Sequence, residues 1–212
     1  MLFKGRKFDI RVWALFTAKN HEVYMYRNGY LRTSSDDYDL ENGNNYVHLT
    51  NNCLQKYGEN YGIHEDGNTV GFHVLQGFLD HHFPQYNLKV EEHFIPRMKD
   101  LIIDTFNATK NQLNPNRRKN CFELLGYDFL IDEDFRLWLI EVNTNPYFGV
   151  PNTFIADLLP KMMDDLLDLV LDPVYPPEKE PQTRYQMKTE GTEERVLRPN
   201  DFELIYSEHG VN

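Results

Sequence analysis

Two cysteines in 212 residues, Cys53 and Cys121, are too few for a disulfide framework. That shortage points to a reducing, cytoplasmic compartment. No apolar run approaches the roughly 18 residues of a membrane span. The basic start MLFKGRKFDI lacks the apolar centre of a secretory signal. A membrane is therefore not among the expected partners. Positive charge is scarce too: 22 Lys and Arg stand against 33 Asp and Glu, a net charge of -11. A surface of that sign does not draw nucleic acid by its bulk field, so nucleic acid is excluded as well. An acidic protein partner needs a local cluster of cations, and two exist, Lys4-Gly5-Arg6-Lys7 and Arg117-Arg118-Lys119. What the chain does have is apolar and aromatic content, 41% and 14%, enough for a packed core.

FDIRVWALFT (8–17) alternates as a strand, with Phe8, Ile10, Val12, Ala14 and Phe16 on one face and Asp9 and Arg11, alongside Lys7, on the other. HEVYMYRNGYLR (21–32) reads as a strand, an Asn-Gly turn and a short return. A polar loop follows, then a short strand-like YVHLTNN and a Gly-rich irregular stretch. Helices are expected from about Val70 to His82, from Glu91 to Leu113, and from Thr153 to Leu171, the last kinked or restarted at Pro160. After Asp172 the chain is rich in Pro and charge, and a flexible tail is expected over 173–212.

LLGYDFLIDEDFRLWLIEVNTNPYFG (124–149) carries the chemistry: two apolar runs flank an acidic turn, with Asp128 in the first and Glu141 and Asn143 ending the second. A symmetric hairpin centred on 132–135 pairs Asp128 with Leu139 and sets Glu141 on a diagonal, about 5–8 Å away on the same face. A one-residue slip would spoil that convergence. Two carboxylates and an amide so placed suit Mg²⁺, which keeps waters and takes substrate phosphates as its other ligands. An equally good reading has Asp128 capping a bulge and Glu141 and Asn143 simply starting the next loop. Lys7, Asp9 and Arg11 at period two are cation, anion and cation on one strand face, which suits phosphoryl transfer beside a metal. A solvated edge strand would read the same. Arg32 and Thr50 are polar residues beside strands. His81 and His82 are neighbours on a helix and do not face one ligand.

GRKFDIRVWALFT, VYMYRNGYLRTSS, HLTNNCLQK and the 124–146 hairpin, in this order over roughly residues 4–150, resemble the tubulin–tyrosine ligase and ligase-like family. The resemblance implies an ATP-grasp fold, of which residues 1–172 would be the C-terminal lobe, an α/β (α+β) unit with a mostly antiparallel sheet and packed helices. KFDIR falls in mid-fold in that family, so the N-terminal lobe, with its nucleotide-gripping lysines, is expected to be missing here. The implied activity joins a free amino acid to a carboxylate on a tubulin C-terminal tail, using ATP and Mg²⁺ and passing through an acyl phosphate. Asp128, Glu141 and Asn143 resemble the Mg²⁺ and ATP-phosphate ligands. Lys7, Asp9 and Thr50 match nucleotide-contacting positions. Arg11 and Arg32 match the arginines near the reacting carboxylate and phosphoryl group. LRTSS and HLTNNCLQKYGENYG favour tyrosine as the amino acid, while EVNTNP departs from the tyrosine ligase and leaves glutamate and glycine open. The implied location is the microtubule cytoskeleton, including cilia. The alternatives are a non-catalytic tubulin- or microtubule-binding module, or an inactive fragment of such a ligase that lacks its N-terminal lobe.

Overall fold

Strand β1 (Arg6–Thr17) is the spine of the sheet, buried along its length except for half-buried Lys7. The computed structural model describes residues 1–19, 21–116, 118–178, 185–187 and 195–208. One edge of β1 pairs antiparallel with β5 (Phe122–Ile131), from Ile10 opposite Phe129 to Thr17 opposite Phe122. Its other edge holds two strands end to end: β2 (Glu22–Tyr26) lies along Ala14–Thr17 and β3 (Tyr30–Asp37) along Arg6–Arg11. This corrects the expected Asn-Gly hairpin. Residues 27–29 interrupt one long run beside β1 and do not reverse it. Gly29 fits because a Cβ there would stand 2.6 Å from the Arg11 carbonyl oxygen. The Arg27 N–H turns outward to the Asp201 carbonyl, 2.9 Å away.

The sheet is completed by β4 (Thr69–Gly71) on β3, β6 (Leu137–Asn143) on β5, and a C-terminal strand on β2. All of these pairings are antiparallel. Two short strands, β7 (Tyr185–Met187) and β8 (Arg195–Leu197), pair with each other. The C-terminal strand, β9 (Phe202–Tyr206), lies inside the segment expected to be a flexible tail, and that part of the expectation is corrected. A buried carboxylate explains the ordering. Asp165 accepts from Arg198 Nη1 and Nη2 at 3.0 and 2.6 Å and from the Asp201 N–H at 3.1 Å. Phe202 then packs on Tyr26, ring centroids 4.9 Å apart.

The two faces of the sheet have different fates. Phe8, Ile10, Val12, Ala14 and Phe16 form the main core with Leu75 and Phe78 of α3 (Phe72–His82) and Met98, Ile102 and Phe106 of α4 (Ile95–Leu113). Residues 90–94, expected to start this last helix, form a π-helical turn before it. Pro96 sits in the first turn of α4, where its missing N–H leaves no bond unmade. On the opposite face β1 changes character, from Asp9 and Arg11 to Trp13 and Leu15. Helix α5 (Thr153–Val170) covers only the apolar end, through Ile155, Leu158, Leu159, Met162 and Leu166. Pro160 neither breaks nor restarts α5, because its buried stripe spans both sides of the proline and holds the helix in one piece. The charged end of the face is left for the site. Among the described residues no helix is long and apolar enough to cross a membrane.

Candidate active site

The charged end is built from strand register. Asp9 lies opposite Arg32 across β1 and β3, Arg11 opposite Asp128 across β1 and β5, and Asp128 opposite Glu141 across β5 and β6. Directly opposed residues share a face, so the backbone alone lines these side chains up. The symmetric hairpin register is corrected here. Leu139 pairs with Phe129, and a bulge leaves Ile140 extra, which moves Glu141 from a diagonal to a place directly across from Asp128. The turn beneath is fixed by Asp132, whose carboxylate accepts from the Asp134 and Arg136 N–H groups at 2.9 and 2.8 Å and from Trp138 Nε1 at 2.8 Å.

The side chains then lock. Arg32 donates to both Asp9 oxygens, at 2.7 and 2.8 Å, and its Nη2 also reaches Asp128 Oδ2 at 2.8 Å. Arg11 grips Asp128 through Nε, and through Nη2 at 2.9 Å. Thr50 donates to Asp9 Oδ2 at 2.5 Å. Asn143 Nδ2 lies 3.1 Å from Glu141 Oε1 and 3.4 Å from Asp128 Oδ2. Asp9, Arg11, Arg32, Thr50 and Asp128 are buried, while Glu141 is exposed and Asn143 half-buried. The solvated-edge reading of Asp9 and Arg11 is therefore corrected: β1 is central and these charges are inside.

Burial alone would raise the Asp128 carboxyl. Hydrogen bonds and charges from Arg11 and Arg32 overcome it and hold Asp128 below the ordinary carboxylate range. Burial likewise works against the Arg32 cation, but Asp9 and then Asp128 push its pKa upward. Tyr30, across from Arg11, is driven up by burial, so its phenol stays neutral. A cavity of ≈120 Å³ opens on this row, bounded by Arg11, Tyr30, Arg32, Thr69, Glu141 and Asn143.

Seven of the eight residues expected at the site thus meet in one network. Lys7 stands apart, in a separate open hollow of ≈740 Å³ with Tyr38, Leu130 and Trp138. The cation patch at 4–7 is corrected: Arg6 is 1% exposed and binds Glu65 at 2.5 Å and the Ser34 carbonyl at 3.0 Å, so it is an internal cation. In the other patch, Arg117 lies outside the described residues. YVHLTNN is not a strand but two helical turns, α1 (Asn45–His48) and α2 (Asn52–Gln55), with Thr50 between them. Sequence reasoning passed over Tyr30, Gln55 and Asn68. The signal available for Gln55 was its place in the HLTNNCLQ run.

Among the described residues no group of three His, Cys, Asp or Glu is placed to hold a metal by itself. The Asp128 oxygens are engaged by guanidiniums. The exposed Glu141 carboxylate remains, with the Asn143 amide, which presents oxygen in place of nitrogen by a simple flip. Such a sparse oxygen set fits a hydrated Mg²⁺ that takes its remaining ligands from phosphate.

An antiparallel sheet flanked by helices, with acid–arginine pairs on its open face, defines a mixed α/β domain with a charged site on one sheet face. A sequence model of the Tubulin-tyrosine ligase family matches residues 1–183, and the chain belongs to that family. It is 38% identical to Tubulin glycylase 3A of Drosophila melanogaster over 170 residues, 78% of this chain and 17% of that protein. It is 33% identical to Tubulin monoglycylase TTLL3 of Homo sapiens over 177 residues, 81% of this chain and 22% of that protein. With the Probable alpha-tubulin polyglutamylase Ttll1 of Tetrahymena thermophila it shares 27% identity over 212 residues, 98% of this chain and 48% of that protein. The chain thus spans between a sixth and a half of the length of these relatives.

Proposed function

We propose that this chain carries the catalytic sheet of an ATP- and Mg²⁺-dependent ligase that joins an amino acid to a carboxylate of a tubulin tail at microtubules. The observation that carries the reading is the row Asp9–Arg32–Asp128–Arg11, ending at Glu141 and Asn143 beside a small cavity. Buried acid–arginine pairs hold both guanidiniums fixed in direction, which suits them to oxygens that gain charge during transfer. Glu141 and Asn143 would hold Mg²⁺, which supplies neutralising charge to the phosphates. Lys7, in its separate hollow, would meet the nucleotide only at a part away from the phosphates. The acceptor carboxylate would attack the γ-phosphorus of ATP, breaking the β–γ P–O bond, to give an acyl phosphate and ADP. The amine of the free amino acid would then attack the acyl carbon and release phosphate. Relatives named as glycylases favour glycine as the donor over the tyrosine suggested by LRTSS, and a relative named as a polyglutamylase keeps glutamate next.

The test is incubation of the chain with tubulin, Mg·ATP and, separately, labelled glycine, glutamate and tyrosine. Glycine is expected in the protein fraction. Glu141→Gln is expected to cut labelling at least a hundredfold while leaving the melting temperature within about 2 °C, because Glu141 is exposed and surface substitutions cost little. Labelling by that variant at the wild-type rate removes Glu141 from the mechanism. Tubulin binding without labelling by any donor supports the non-catalytic module or an inactive fragment of such a ligase instead.

A further inference from the structure

Outside the acid–arginine row, Gln55 is fully enclosed, at 0% exposure, like Thr33 and Ser34 of β3. Its amide oxygen accepts from the Ser35 N–H at 2.9 Å and the Ser35 hydroxyl at 2.5 Å. Its amide N–H donors are spent on the chain before it: Nε2 donates to the Tyr46 carbonyl at 3.1 Å and to the Leu49 carbonyl. One side chain, standing at the end of α2, therefore ties β3 to the α1 end of the α1-to-α2 connection. Asn68 closes the same network, giving Nδ2 to Ser35 Oγ at 2.9 Å and to the Thr33 carbonyl at 3.1 Å. Between Leu49 and Gln55 lies Thr50, whose hydroxyl meets Asp9 Oδ2. Asp9 in turn holds Arg32. A loop with few apolar contacts of its own is thus set against the site by buried hydrogen bonds, each dependent on one amide.

We infer that Gln55 is a positioning residue of the nucleotide site: it fixes the Leu49–Asn51 turn so that the Thr50 hydroxyl sits on Asp9. The inference rests on the nucleotide site proposed above. Gln55 hydrogen-bonds neither Asp9 nor the arginines, so its effect on them passes either through Thr50 or through Ser35 and β3 to Arg32. The Thr50 route is the one that separates positioning from mere support of the fold. If Gln55 acts through Thr50, the losses from Gln55→Met and Thr50→Val do not add.

The experiment measures Mg·ATP affinity by titration and backbone amide exchange by mass spectrometry, on the full chain and its variants. Gln55→Met and Thr50→Val are each expected to weaken ATP binding roughly tenfold, as for one hydrogen bond to a charged group. The double variant is expected to be no weaker than the worse single one. Amides 49–51 are expected to exchange faster in Gln55→Met, with those of β1 unchanged. Additive losses, about a hundredfold in the double variant, overturn the inference, as does wild-type affinity in Gln55→Met. Should Gln55→Met fail to fold, Ser35→Ala removes one of the amide's partners and takes its place, with an expected loss of roughly threefold that vanishes on a Thr50→Val background. A wild-type chain that binds no ATP overturns the nucleotide-site reading. The exchange measurement then decides the positioning claim by itself: faster exchange confined to 49–51 supports it, and unchanged exchange refutes it.

Discussion

Asp128→Asn tests how the buried row is balanced. The side chains of Arg11, Asp128 and Arg32 are 5%, 2% and 11% exposed, so their charges are poorly solvated. The substitution keeps the shape of the side chain and removes its charge. Asp9 is then left as the buried carboxylate of the row against two guanidiniums. Removing one partner of a buried ion pair costs about 3–5 kcal/mol, because the remaining charge is stranded. A domain of this kind has roughly 5–15 kcal/mol of stability in total, so the loss is a large fraction of it. At about 2–4 °C per kcal/mol for this size, the melting temperature should fall by roughly 10 °C. Urea unfolding at neutral pH measures the free energy directly. The control is Arg11→Met with Asp128→Leu, which removes cation and anion together and leaves the Arg32–Asp9 pair intact. Its loss should be smaller than that of Asp128→Asn, because apolar replacements of a buried pair are often close to neutral. A loss below about 1 kcal/mol for Asp128→Asn, or a double variant as unstable as the single one, would refute the stranded-charge argument.

The same carboxylate sets an acid limb. The folded Asp128 carboxyl titrates below its unfolded value, because hydrogen bonds from Arg11 and the charges of both arginines outweigh burial. Its stabilising contribution is complete above the unfolded pKa, near ~3.9, and is lost as pH falls through the lower folded value. The stability gap between wild type and Asp128→Asn should therefore be full at pH 6 and narrow towards strongly acid pH. A gap that widens on acidification has the wrong sign for this linkage.

Arg6→Met should cost about 3 kcal/mol in urea unfolding, since it strands the Glu65 carboxylate in a site where Arg6 itself is 1% exposed. Equal stability of Arg6→Met and wild type would return Arg6 to the surface patch that the sequence suggested. Gly29→Ala should destabilise by roughly 1–3 kcal/mol and lower the proposed ligase activity together, because the new Cβ meets the Arg11 carbonyl at 2.6 Å and pushes on β1 beside the site; wild-type melting of this variant would show that the strand interruption relaxes freely. Asp165→Asn should release β9 by losing its charge on Arg198, so amides 202–206 should exchange faster while those of β5 do not. Uniform exchange across the sheet in that variant would mean that Asp165 supports the whole fold and not this strand.

Legibility in the sequence followed the range of the interaction involved. The alternation of β1 was readable because period two is a local property, and it placed Asp9 and Arg11 correctly on the face opposite the core. Which half of that face stays open was not local: it depends on α5 stopping at Trp13 and Leu15, a contact between residues about 140 positions apart. The hairpin was readable as a hairpin, but the bulge at Ile140 was not, since one extra residue between two apolar runs leaves the pattern almost unchanged while moving Glu141 directly opposite Asp128. Asn28-Gly29 carried the local signature of a reversal and lost to tertiary pairing, because β1 is long enough to hold β2 and β3 in line on one edge. The ordered C-terminal strand had a signal that local reading passed over. Asp165 lies three residues after Met162 and seven after Leu158, on the buried stripe of α5, where an unpaired carboxylate would be untenable. Its position alone required a distant cation, and Arg198 meets it from inside the segment whose composition read as flexible. A buried charge on an apolar stripe is therefore a better guide to where a polar segment becomes ordered than the composition of that segment.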